Sequence, residues 1–155
     1  MPTETVERRR IRYETLDEVV ADVQKLRLGP YSRCGKWSLT QICEHLDKAM
    51  EGSMTHMDDV PLGWLIRKTV GKMIFNQMVK SGQMRKGFEA PAAFRPVDQA
   101  DDDPARIDHF LHTIEKLKTA SQFADSPFFG RLTPDEWRAF HLVHAAHHLS
   151  HLIPS

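Results

Sequence analysis

Three times along this chain a Ser or Thr stands three residues ahead of a Glu or Gln at the head of an apolar stripe: TLDE at 15–18, SLTQ at 38–41 and TPDE at 133–136. In such a capping box the hydroxyl accepts the backbone N–H of the third residue, and the Glu or Gln side chain reaches back toward the cap. A fourth start is written as Asp103-Pro104, a cap followed by proline at the first helical position. Each start is followed by helical spacing. Leu16, Val19, Val20, Val23 and Leu26 form one stripe, closed by Gly29-Pro30. Ile42, His45, Leu46 and Ala49 share a face behind the second box, and Ile107, Phe110, Leu111, Ile114 and Leu117 share one behind the fourth start.

No strand-like alternation competes with this pattern, so the spacing predicts an all-α fold of four main amphipathic helices in a single domain over residues 1–155. The segment LGWLIRKTVGKMIFNQMV (62–79) reads as an additional helix, weakened by Gly71. Residues 81–102 have no clear period. A connection of that length covers a pocket, mediates self-association or is a mobile loop. Apolar residues such as those of 62–79 are often buried between copies, which makes a homodimer one expected assembly.

Charge excludes some classes of partner. Lys and Arg together number 21, as do Asp and Glu. A neutral balance gives no general attraction to nucleic acid or to an anionic membrane. The short basic cluster RRRIR (8–12) reads as solvated surface, and MRKGF (84–88) as a charged loop or, less simply, a contact for an anionic substrate or cofactor. No stretch is long and apolar enough for a transmembrane helix, MPTETVERRR lacks a signal-peptide core, and Cys34 and Cys43 do not make a disulfide framework. A cytoplasmic protein is expected.

The chemistry concentrates near the C-terminus, where HLVHAAHHLSH (141–151) holds five of nine histidines. Leu142, Val143, Ala145, Ala146 and Leu149 break the run, unlike a tag. On a helix, His141, His144, His148 and His151 fall within roughly 80° of one another. Burying several imidazoles costs free energy unless each finds a partner, and protonating them together sets like charges side by side. A divalent ion accepts neutral imidazole lone pairs and removes both difficulties. His144 and His148 have the i,i+4 spacing that presents two nitrogens to one ion, as do His147 and His151. His45 lies on an inward face and could add a third nitrogen from another helix. Taken alone, His45 reads better as a hydrogen-bonded core histidine. His141 and His151 read as pocket acid–base groups or boundary residues, and His56, His109 and His112 as surface.

Together, WSLTQICEHLDKAM (37–50) and HAAHHLSHL (144–152) resemble the DinB/YfiT-like family of metalloenzyme-type bundles, and more narrowly a branch known only as a domain of unknown function. FGRLTPDEWRAFHLVHAAHHLSHLIP (129–154) is similar to the C-terminal signature of that branch. The likeness covers residues 15–55 and 103–154. It implies an up-and-down four-helix bundle in which His45, His144 and His148 match the metal positions, and a divalent ion, zinc or nickel. Many members carry Gly-Gln after the last ligand, where this chain has Leu149-Ser150-His151.

Three imidazoles leave coordination positions open for water or a thiol. The expected function is a metal-dependent enzyme acting on a small-molecule substrate through an activated thiol or water, as a thiol-dependent transferase or a hydrolase. A low-molecular-weight thiol is the expected partner, His141 and His151 are the candidate proton-transfer groups, and Glu44 is a further candidate base. The competing expectations are a non-catalytic metal-binding or stress-response bundle, and a helical interaction protein with a pH-sensitive histidine cluster.

Overall fold

The computed structural model describes residues 7–84, 96 and 102–155. Its described residues are mostly helical. Four long helices, α1 (Leu16–Leu28), α2 (Leu39–Met54), α5 (Pro104–Thr119) and α6 (Pro134–Leu149), pack around one core. Leu16, Val19, Val23 and Leu26 of α1 meet Ile42, Leu46 and Met50 of α2, Phe110, Ile114 and Leu117 of α5, and Ala145 and Leu149 of α6.

The helix starts follow from local chemistry. Ser38 and Gln41 exchange the two bonds of a capping box at α2, and Thr133 and Glu136 do so at α6. Thr15 Oγ1 accepts from Glu18 N, whereas the Glu18 carboxylate takes the N–H of Glu14, one residue upstream of the cap. Asp103 caps α5 ahead of Pro104. The start of α2 is also held from outside: Asp102 Oδ1 accepts from both the N and Oγ1 of Thr40, and its Oδ2 accepts from the Tyr31 hydroxyl.

Two departures from the sequence expectation have clear causes. The segment 62–79 is two helices, α3 (Gly63–Thr69) and α4 (Gly71–Ser81), meeting at Val70. At the junction a Cβ on Gly71 would lie 2.5 Å from Phe128 O, so the chain turns where only glycine lets the two backbones touch. Phe75 and Met78 of α4 join Phe129, Leu132, Trp137 and Val143 in a second, smaller core. The fold also contains strands. β1 (Tyr31–Arg33) pairs antiparallel with β2 (Leu152–Pro154), Ser32 opposite Ile153. Three-residue strands are too short to show alternation.

Arg8, Arg10 and Arg12 of the RRRIR cluster are exposed, as expected of solvated surface, yet the cluster also ties elements together. Arg9 forms a two-pronged pair with Asp22 (3.0 Å for each bond) and donates to Leu149 O. Tyr13 also donates to Asp22, and burial, followed by that carboxylate, raises its phenol well above the ordinary range. Arg8 reaches Ser150 and His147, and Arg12 reaches Val79 O and Lys80 O. The segment thus straps α1, α4 and the end of α6 together. Residues 85–88 of MRKGF and most of 81–102 lie outside the described residues.

Candidate metal centre

The capping boxes of α2 and α6 set the rotation of two helices that run antiparallel: His45 meets His144 and His148, while Ser53, two turns further along α2, meets His141. His45 Nε2 lies 3.0 Å from His144 Nε2, which lies 3.2 Å from His148 Nε2. One ring nitrogen from each of the three falls within 4.8 Å of the others, an arrangement able to hold a metal ion. Ligands about 2.1 Å from one ion, at tetrahedral or octahedral angles, stand about 3.0–3.4 Å apart. The two short separations match that spacing, and an all-imidazole donor set suits zinc, nickel and their neighbours.

Hydrogen bonding alone satisfies this triad poorly. If His144 Nε2 carries a proton it can donate to only one neighbour; if it does not, two donors must share one lone pair. His144 Nδ1 is buried and has no hydrogen-bond partner in the protein. Burial drives His144 well below its ordinary pKa, with His148 and His45 next in effect, and burial followed by His45 pushes His148 down to about 2. His144 and His148 thus sit where neutral imidazole, the form that binds metal, is favoured. His45 is 3% and His144 7% exposed, with His148 half-buried at the rim.

Aromatic rings flank the triad. Trp37 stacks on His148 (centroids 5.4 Å apart, 26° between planes) and tilts against His45 at 5.0 Å. Phe140 stacks on His144 at 5.4 Å. Trp37 enters the sequence as the residue before the Ser38 cap; its contact with the histidines was signalled only by that position, eight residues ahead of His45.

The remaining histidines separate by environment. His141 is 1% exposed and stacks on Trp137. Ser53 Oγ donates to Met50 O at 2.7 Å, so it accepts from His141 Nε2–H at 2.8 Å. That bond leaves a bare lone pair on His141 Nδ1, which is buried without a partner, and burial pushes this imidazole down to about 3. Ser53 was not foreseen. Arg8 likewise fixes His147 by donating to its Nδ1 at 2.9 Å, so that ring keeps its proton on Nε2. His151 is half-buried beside Gly35, its Nδ1 3.3 Å from His148 O. It stands beyond the triad at the α6 terminus, on the turn that also receives Cys34 N.

Glu44 turns away from the triad to pair with Arg106 at 2.7 Å and Lys48 at 3.1 Å. Cys34 is exposed and Cys43 buried, and neither joins the triad. No helix of the described residues is long and apolar enough to cross a membrane.

Fold and site together define a mostly helical protein with a buried three-histidine cluster capable of holding a metal ion. The model of the family described as "Protein of unknown function (DUF1569)" matches residues 5–155, and the chain belongs to that family. No curated protein and no solved structure matches it.

Proposed function

We propose that this protein is a divalent-metal-dependent enzyme of DinB/YfiT-like, up-and-down bundle architecture, with His45, His144 and His148 as the ligands. The observation that carries the reading is the convergence of three Nε2 atoms from two antiparallel helices, at separations suited to one ion. The ion would be zinc or nickel and would supply Lewis-acid activation of a thiol or water at the open positions. Residues of this chain do the rest. Trp37 and Phe140 hold the rings and keep water from their faces. His148, at the rim, marks the side from which a small-molecule substrate, such as a low-molecular-weight thiol with an electrophile, approaches. His151, three residues beyond His148, is the first proton-transfer candidate. His141, with its bare Nδ1, is the second acid–base candidate, held in place by Ser53. A cytoplasmic location and a homodimer complete the proposal.

Burial of His45 and His144 favours one alternative, a non-catalytic metal-binding or stress-response bundle in which the ion holds α2 to α6. Metal analysis of the purified chain after zinc or nickel loading tests what both readings share. An equivalent per chain that disappears in His148→Ala, whatever the chain binds elsewhere, is expected; a chain that takes up no ion removes both. Turnover of electrophiles with small thiols, or of hydrolysable esters and amides, by the loaded chain but not by His148→Ala then separates the enzyme from the alternative.

A further inference from the structure

A different face of α2, turned to α5 rather than α6, carries a second convergence of ligand atoms. His109 Nε2 of α5 lies 3.2 Å from Asp47 Oδ2 and 3.2 Å from Glu51 Oε1. Asp47 and Glu51 are one helical turn apart, so both carboxylates project toward the same partner helix. One atom from each of the three residues falls within 4.8 Å of the others. The 3.2 Å spacings again suit ligands about 2.1 Å from a shared ion.

We propose that Asp47, Glu51 and His109 form a second cation site, for a divalent ion of the manganese or zinc class. Two oxygens and one imidazole make a harder donor set than the histidine triad, with mixed O/N character suited to those ions. Asp47 supplies the independent observation. The residue is only 8% exposed, and its Oδ1 is buried with no hydrogen-bond partner. A buried carboxylate oxygen without a donor is costly, and an ion bound through both oxygens of that carboxylate would satisfy it. Glu51 and His109 are partly exposed, which gives an ion a way in and leaves positions for water. Thr113 Oγ1, 3.5 Å from Glu51 Oε1, stands beside both carboxylates and also reaches toward that of Asp47, leaving Oδ1 as the oxygen without a donor.

The competing account is a helix-to-helix ladder in which His109 repeats for Asp47 and Glu51 what Arg106 does for Glu44 one turn earlier. Manganese binding to the full chain, counted by electron paramagnetic resonance and repeated with zinc by calorimetry, decides between them. Glu51→Gln and His109→Gln change partly exposed residues, and circular dichroism checks that each variant folds. The expected result is two equivalents of zinc in the wild type and one in each of Glu51→Gln, His109→Gln and His148→Ala, with manganese binding lost in the first two and kept in the third. Unchanged zinc stoichiometry and unchanged manganese binding in Glu51→Gln and His109→Gln would overturn this site whatever His148→Ala does. A wild type holding one zinc, lost only in His148→Ala, would also overturn it while leaving the histidine triad standing. One zinc lost only in Glu51→Gln and His109→Gln would do the reverse.

Discussion

The Ser53 hydroxyl, bound to Met50 O on one side and His141 Nε2 on the other, fixes the tautomer of a completely buried imidazole. Ser53→Ala strands the His141 N–H in the core. Losing one partner of a buried hydrogen bond costs about 1–3 kcal/mol. Urea unfolding should show a loss in that range. A midpoint indistinguishable from wild type would mean that this bond does not hold the ring.

The same imidazole makes stability depend on acidity. Burial pushes His141 down to about 3, against an ordinary value of about 6.5 in the unfolded chain. Between those limits the unfolded chain takes a proton that the folded one refuses, so stability is intact above about pH 6.5 and falls as the pH drops toward 3. The slope is about 1.4 kcal/mol per pH unit from this group. His147, pushed down to about 4 by burial and then by Arg8, acts in the same direction. His141→Gln should flatten the profile of metal-free protein by about one proton. An unchanged slope would place the acid sensitivity elsewhere.

Gly71 and Gly29 make a matched pair for the packing at the α3–α4 junction. A methyl group on Gly71 would meet Phe128 O at 2.5 Å and Ile66 O at 2.9 Å, both backbone atoms, whereas one on Gly29 meets nothing within 4 Å. Overpacking of this kind costs about 1–3 kcal/mol. Thermal unfolding should therefore separate Gly71→Ala, destabilised by that much, from Gly29→Ala, which stays within about 0.5 kcal/mol of wild type. Equal midpoints would show that the junction yields freely.

A ligand that binds only the folded chain stabilises it by mass action, about 4 kcal/mol at a thousandfold excess over its dissociation constant. Zinc should raise the unfolding temperature of the chelator-treated protein and leave that of His144→Ala much less affected. His148→Ala, at a half-buried position, guards against a mere packing defect in the first variant. A zinc shift equal in wild type and both variants would sever the triad from metal binding.

Legibility from sequence followed the range of the interactions. The starts of α1, α2, α5 and α6 depend on residues within four positions of one another, and the caps lie where the sequence put them. The i,i+4 pair His144–His148 was equally local. Its approach to His45 was readable because His45 sat on an apolar face and because the two segments together resemble a known pattern. The β1–β2 pairing joins residues more than a hundred positions apart through backbone groups that carry no residue signature. The Gly71 break depends on the backbone of Phe128, and the seam joining Asp47 and Glu51 to His109 depends on how α5 lies against α2. Ser53 could have been anticipated once antiparallel pairing was assumed, since two turns onward from His45 on α2 corresponds to two turns back from His148 on α6, the position of His141.

Trp37, resting on His148 and His45, also gives the protein an optical probe. The chain's other indoles are spectrally set apart: Trp64 is largely in water, and Trp137 is sealed against His141 with its N–H on Ala124 O. Any change of electron density in the imidazoles beneath Trp37 should register in its emission, against a steady signal from the other two. Occupancy of the centre can thus be followed in unlabelled protein, with Trp37→Phe as the dark control.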